Sequence, residues 1–510
     1  MKKRTVSLFL CLLLLATLLP FSALAEGEDV NVRDKYTIMI PLWTTEVPTE
    51  DSVTWQALNE LTGTQLELIF VPSDVYTERL TVLMASNQLP DAFVVLKNKD
   101  GTYVNAARGG MFWDLTEFIQ ESDVFSANYS PLILQNTAID GRNYALPRTR
   151  VLARKAFCYR RDWLEASGLP KPETMEDIYN VIQNFAANDY DGNGKIDTIG
   201  LITAAGSNGS LWGMDIMPIY MGSGKDWVVQ AENTLIPSFM TEPYLNTMKW
   251  LKRLYDENLL NKDFPTISSA KGFEMVASEM CGVFFGNSDE ILTNFGTLLK
   301  AKQQENPDLK LEDIFDFTSA VISPTDNAVH TPGGSGFNGM FVFAKANLPT
   351  EADLRGILKV FEIIDSAEGQ NLVNWGVEGV HYNLVDGKAL PVDDSTFITN
   401  DVLTFQQLGL TGYTSQLYLP GDVDDFTARV NADQKEMAQY AVVNPVLPLS
   451  SDTDTEIGTM LTQNINDAIA QFVAGQLDEA GFQVAINQWL AEGGEAIIEE
   501  YNAAYQAAQN

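Results

Sequence analysis

Tyr36-Thr-Ile-Met-Ile40, Leu66-Glu-Leu-Ile-Phe-Val71 and Leu89-Pro-Asp-Ala-Phe-Val-Val-Leu96 are three apolar runs of strand length, and what lies between them decides the fold. Ser52 to Thr62 carries helix-like spacing that stops at Gly63, and Ser73 is positioned to cap a second helix through Ser86. Strand and helix alternating at this pitch predict an α/β fold. Parallel neighbours need crossovers long enough to hold a helix, so a mostly parallel sheet covered on both faces follows. The same texture returns at Cys281-Gly-Val-Phe-Phe-Gly286 and Met340-Phe-Val-Phe-Ala344, with helical stretches such as Tyr244 to Leu259 between. From Ile457 the chain reads as almost all helix, broken at Gly493-Gly494 and ending in an amphipathic stretch from Glu495 to Ala507. No repeat of fixed period is visible, which argues against a solenoid or propeller.

The chain has 510 residues, more than one hydrophobic core usually takes, so two or more lobes are expected. Its formal charge of −35 argues against binding nucleic acid or an anionic membrane through the general field. A hydrophobic fraction of 45% is ordinary for a folded globule and excludes a disordered chain despite that charge. Lys2, Lys3 and Arg4 precede an apolar run from Val6 to Phe21, and Ala23-Leu24-Ala25 supplies the small-x-small pattern of a cleavage site. Residues 1–25 therefore read as a signal peptide and Glu26 as the start of a secreted, soluble chain, because the run falls short of the ~20 residues of a spanning helix. Cys11 follows Leu8-Phe9-Leu10 in the middle of that run, the wrong context for lipidation, so it leaves with the signal. Cys158 and Cys281 are too few for a disulfide framework and read as two separately buried thiols.

Four segments spread across the chain carry a resemblance. Ser86-Asn-Gln-Leu-Pro-Asp91 resembles a small-x-x-Leu-Pro-Asp strand start. Asp140-Gly-Arg-Asn-Tyr-Ala-Leu-Pro147 resembles a crossover of the form DG-x-x-YALP. Tyr159-Arg-Arg-Asp-Trp-Leu164 with Gly168-Leu-Pro170 and Pro172-Glu-Thr174, and Asn374-Trp-Gly-Val-Glu-Gly-Val-His-Tyr382 with Asp386-Gly-Lys388, complete the set. Each is weak alone, but their order and spacing resemble the bacterial extracellular solute-binding proteins of the family 1 type, the oligosaccharide receptors of ABC importers. The resemblance implies a two-lobed, periplasmic-binding-protein-like fold with a ligand cleft between the lobes. On that analogy residues 26–147 form the first lobe, with 336–386 returning to it. Residues 148–335 form the second, and 387–510, mostly helical, complete the second. It implies a non-enzymatic, monomeric receptor whose partners are a carbohydrate, in the first instance an oligosaccharide, and the membrane permease of an ABC importer.

Asp189-Tyr-Asp191-Gly-Asn193-Gly-Lys195-Ile-Asp197 is the sharpest local motif. Side-chain oxygens fall at positions 1, 3, 5 and 9 of an EF-hand loop, Gly194 stands at 6, and Lys195 offers its carbonyl at 7. Calcium needs this spacing because alternate side chains and one carbonyl must converge from a tight turn. Position 12 is Gly200, so the bidentate glutamate of a sensor loop is missing. A solvated Asx-rich turn is the rival reading; a structural Ca2+ site held by Asp189, Asp191, Asn193, Lys195 and Asp197 is the expectation.

Sugars pack their C–H faces on aromatic rings and present hydroxyls to directed polar groups. Trp43 after the first strand, Trp212 and Trp227 flanking a Gly-rich segment, and Trp375 with Glu378 and Tyr382 are the ligand candidates, whereas Trp55, Trp163, Trp250 and Trp489 sit on helical patterns and read as core. Arg142, Arg148, Arg150, Arg154, Lys155, Arg160 and Arg161 put seven positive charges into twenty residues that contain no acid. These read either as a solvated surface or as a cleft patch, with Arg148 foremost, that admits a uronate. Catalysis finds little support: His330 and His381 are the only histidines, and no nucleophile elbow, zinc helix or phosphate loop appears. A secreted glycoside hydrolase or lyase, an oligopeptide receptor and a calcium-stabilised adhesion protein remain the rivals.

Overall fold

The computed structural model describes residues 30–42, 47–96, 101–206, 209–392, 399–411, 418–420 and 424–509. The signal peptide with Cys11, the start at Glu26, and Trp43 lie outside them.

The opening stretch folds as β1 (Lys35–Leu42), α1 (Val53–Thr62), β2 (Gln65–Pro72), α2 (Ser73–Ser86), β3 (Ala92–Val95), α3 (Gly101–Arg108) and β4 (Ala145–Thr149). The Ser52 hydroxyl accepts the Trp55 amide at 3.2 Å and so starts α1, and Gly63 at φ +68° ends it. Ser73 is the first helical residue of α2 and gives no side-chain cap, which corrects its expected role.

The chain then crosses to a second core built on β5 (Lys155–Arg160), α4 (Glu242–Asp256), β6 (Val283–Asn287) and β7 (Phe315–Thr318). It returns through β8 (Phe337–Phe343), α5 (Glu351–Ile364) and α6 (Ala367–Trp375) to the first core. The last helices, α7 (Asp452–Val473), α8 (Glu479–Trp489) and α9 (Glu495–Gln509), pack on the second core. Gly493 at φ +134° breaks the run between α8 and α9, and Gly494 packs so closely that a Cβ there would come within 2.0 Å of the Trp489 ring.

The first sheet has the order β2-β1-β3-β8-β4, with β1 to β3 parallel and β8 antiparallel to its two neighbours. The second has the order β6-β5-β7, all antiparallel. Phe405, Leu408 and Leu410 are fully buried in the first core, so the chain stays with that lobe past residue 386 and crosses for the last time between Leu410 and Phe426. The boundary expected at 387 is corrected accordingly. Phe405 packs against Trp55 and Phe70, whose rings meet it at 6.2 and 6.1 Å.

The three crossings are tied together. The Thr149 amide donates to the Leu410 carbonyl, the Gly334 amide to the Leu152 carbonyl and the Gly333 amide to the Val442 carbonyl, at 2.6, 2.7 and 2.9 Å. Cys158 and Cys281 are both buried free thiols.

Candidate functional site

In the first lobe, β1 is flanked by β2 on one side and β3 on the other. Right-handed crossovers leaving in opposite directions put α1 and α2 on opposite faces, so the carboxyl ends of β1 and β3 frame a crevice. Tyr76 of α2 fills its floor: its hydroxyl donates to the Met39 carbonyl at 3.1 Å and accepts the Val94 amide at 3.0 Å. Arg148, near the carboxyl end of β4, is 1% exposed and donates through Nη2 to the Gln407 side chain. Among the described residues its Nε and Nη1 have no hydrogen-bond partner. Burial foremost, with Arg150 adding repulsion, lowers its pKa to about 9.

The neighbouring Gln406 reaches back to the Asn374 carbonyl at 3.5 Å and so links this region to the end of α6. There Trp375 is half-buried, and its indole N–H is buried without a partner among the described residues. Glu378 is exposed in the following turn, and Tyr382 is buried against Tyr418 at 6.0 Å. Burial first, then Tyr418 and Glu378, push the Tyr382 hydroxyl up to about 12. Gln407 and Gln406 thus link Arg148 to the segment that carries Trp375. His381 is structural: its Nδ1 accepts the Val377 amide at 2.9 Å, and its Nε2 meets Asp401 at 2.8 Å. With Nδ1 accepting, the proton sits on Nε2.

The second lobe offers a cavity of about 250 Å³ between residues 210–244 and α7. Trp227 supplies an aromatic wall, set edge-on to Tyr501 at 5.0 Å, and Trp489 a second. Asp215, Lys225, Asp226, Asp454 and Asn466 supply the polar lining. Asp215 pairs with Lys155 at 3.0 Å. Burial alone would push its carboxyl up, but Lys155 and Lys225 hold it below the usual carboxylate range. Asp454 goes the other way: burial raises it and Glu500 adds to that, while the Tyr501 hydroxyl donates to it at 2.7 Å.

α7, which lines this cavity, also meets the first lobe. Arg108 of α3 holds Asp140 at 2.9 Å and reaches across to Asp452 of α7 at 2.6 Å. Gly101 fits so closely that a Cβ would stand 2.6 Å from the Thr455 carbonyl. α7 thus lines the cavity and carries the interlobe contact. A larger hollow of about 660 Å³, lined by Thr37, Asp91 and Asn347, sits at the amino edge of the first sheet.

Trp212 does not join the cavity. Its ring packs on Phe273 at 4.8 Å and Phe284 at 5.8 Å, and Gly272 leaves room for it, so the expected platform is an aromatic part of the second core. Sequence reasoning set Trp212 and Trp227 side by side and missed Asp215, Lys225 and Asp454; the one available signal was Lys225-Asp226-Trp227 directly after the turn at Gly222 and Gly224.

In the loop from Asp189 to Asp197, the two Asp189 oxygens accept the Asn193 and Gly194 amides at 3.1 and 2.9 Å. The Asn193 amide nitrogen donates to Asp191 at 2.7 Å and to Asp197 at 3.0 Å. Partial burial first, then Asp189 and Asp197, push the Asp191 carboxyl up. Among the described residues no three Asp, Glu, His or Cys side chains converge as a metal cage. The oxygen donors are the right kind for calcium, and the buried Thr198 hydroxyl lacks a partner among the described residues. Gly200 cannot be the missing glutamate, because a Cβ there would lie 2.7 Å from the Leu259 carbonyl.

Compared with known proteins, the sequence profile described as "Bacterial extracellular solute-binding protein" matches residues 44–308. Lipoprotein LipO of Bacillus subtilis is 31% identical over 489 residues, 94% of this chain and 93% of that protein. The polygalacturonan/rhamnogalacturonan-binding protein YtcQ of the same organism is 29% identical over 487 residues, 95% of this chain and 94% of that protein. Among solved structures, an HMO-binding, ABC-transporter-associated solute-binding protein from Bifidobacterium longum infantis superposes with a TM-score of 0.72. It is 16% identical and covers 93% of this chain and 99% of its own.

Proposed function

The chain belongs to the bacterial extracellular solute-binding protein family, and from that premise we propose that it is a carbohydrate receptor of an ABC importer, closing two lobes on an oligosaccharide and releasing it unchanged to a membrane permease. The observation that carries the reading is the cavity beside the interlobe contact, where the Trp227 ring stands among paired charges and amides. An apolar ring next to fixed donors and acceptors is what a hydroxyl-rich ligand with C–H faces requires. A relative that shares 29% identity and is named for binding polygalacturonan supports it. The receptor acts as a monomer. Asp215 and Asp454 line one cavity with opposite charge tendencies, as a glycosidase pair would. Asp454, however, is engaged by Tyr501, and the family consists of binding proteins. A thermal-shift screen of neutral and acidic oligosaccharides tests the reading. A true ligand at a hundred times its Kd stabilises by about 2.7 kcal/mol, and no shift with any saccharide contradicts it.

The exported form begins at Glu26 without a lipid, and its second lobe carries calcium between Asp189 and Asp197, with the Asn193 side chain turning its oxygen inward. The crowded carboxylates and the orphaned Thr198 hydroxyl support the metal site. Intact mass of the exported protein, taken denatured and then native, reads both features. The expected result is the unmodified 26–510 chain with one calcium ion. In parallel, chelation should lower the melting temperature of the wild type and leave Asp191→Ala unchanged. A diacylglycerol-modified cysteine contradicts the first part, and a melting curve indifferent to chelator on metal-loaded protein contradicts the second.

A further inference from the structure

The seven basic residues from Arg142 to Arg161 are spent unequally. Arg142 pairs with Asp114, Arg154 with Asp289, Lys155 with Asp215, Arg160 with Asp162 and Glu279, and Arg161 with Glu165. Most of the patch is therefore neutralised where it stands. Arg150 donates to the Thr149 carbonyl, and Arg148 stands apart. It is the most deeply buried of them together with Arg160, yet no carboxylate pairs with it among the described residues and two of its three nitrogens find no partner there.

A guanidinium taken out of water without a counter-charge is costly, and folds keep such a group where something else repays it. Its place is specific. Arg148 lies near Tyr76, whose neutral hydroxyl floors the crevice between β1 and β3 where that fold type holds its ligands. Beside it Gly339 adopts φ +75° in β8; a Cβ there would stand 3.0 Å from Val94 and 3.4 Å from Nη1. The missing side chain lets β8 pack closely against Val94 and the guanidinium on that flank. Arg148 is 1% exposed, so a ligand reaches it only when the crevice opens, and closure then excludes water from the contact.

We propose that the oligosaccharide bound by this protein carries carboxylates, and that one uronate carboxylate is held by Arg148 at the β1/β3 crevice. This rests on the receptor reading above and narrows its ligand class. A carboxylate supplies the charge and the acceptor oxygens that Gln407 alone does not, and a neutral hydroxyl supplies no charge.

Calorimetric titration with an oligogalacturonate and with its methyl-esterified form tests the proposal on the wild type, Arg148→Lys and Arg148→Met, with melting temperatures in parallel. The wild type should bind the acid at least about 10-fold more tightly than the ester. Arg148→Met should bind the two alike, and Arg148→Lys should keep part of the preference. Equal binding of acid and ester by the wild type, or binding of neutral oligosaccharides alone, overturns the proposal and leaves the receptor reading intact. A preference that survives in folded Arg148→Met overturns it too. Should the methionine variant not fold, the two wild-type titrations and the lysine variant still decide. Failure of every saccharide, acidic or neutral, overturns both readings.

Discussion

Trp227→Ala is expected to weaken oligosaccharide binding by at least about 30-fold, a loss of ~2 kcal/mol, while melting within a few degrees of the wild type. The ring is half-buried, touches Tyr501 by its edge, and presents its remaining surface to the cavity. Truncating it removes the aromatic wall of the cavity along with the ring's edge packing on the second core. Trp212→Ala is the matched control with the opposite signature. Its ring fills space against Phe273 and Phe284, so its loss leaves a cavity costing ~3 kcal/mol of stability, with affinity largely kept. Calorimetry and urea unfolding on both variants separate the two roles. Full affinity in Trp227→Ala would show that the sugar does not use this cavity.

Arg160→Ala should destabilise the second lobe by about 1.5–3 kcal/mol, because it removes a fully buried guanidinium and its hydrogen bonds to two partly exposed acids. Arg160 is 1% exposed, lies over the Trp163 ring at 4.6 Å, and holds Asp162 at 2.5 Å and Glu279 at 2.7 Å. Burial alone would raise the Glu279 carboxyl, but Arg160 and Lys302 hold it below its usual value. The sign of the pH effect follows. A depressed carboxyl contributes stability at neutral pH that is lost as pH falls through the carboxylate range. Wild-type stability should therefore drop steeply with acid there, and the Arg160→Ala curve should be flatter over the same window. Urea midpoints across that range check both statements; parallel curves would mean that the pair contributes nothing through charge.

Much of the fold was legible because periodicity is a property of neighbours. The alternating runs from Tyr36 to Leu96 became strands and helices where expected, and Gly63 ended its helix for a conformational reason visible in the sequence. The return of Phe405, Leu408 and Leu410 to the first core was not legible, since three apolar residues in a short turn look like any surface loop until Trp55 and Phe70 are beside them. The same limit applied to the site. Trp212 and Trp227 flank the same loop region, and only the close approach at Gly272 and the ring of Tyr501 send one inward and the other to the cavity. The seven positive charges could be counted in the sequence, but which of them would lack an acid depended on Asp114, Asp289, Glu279 and Asp215, all distant along the chain.

One measurement bears most directly on the central claim that this protein captures an oligosaccharide and does not transform it. Calorimetric titration with the best saccharide from the screen should give heat that saturates at one ligand per chain, with a negative heat-capacity change as the lobes bury surface, and a return to baseline after each injection. Heat that persists after each addition, the signature of turnover, or no saturable heat with any saccharide, would contradict the account.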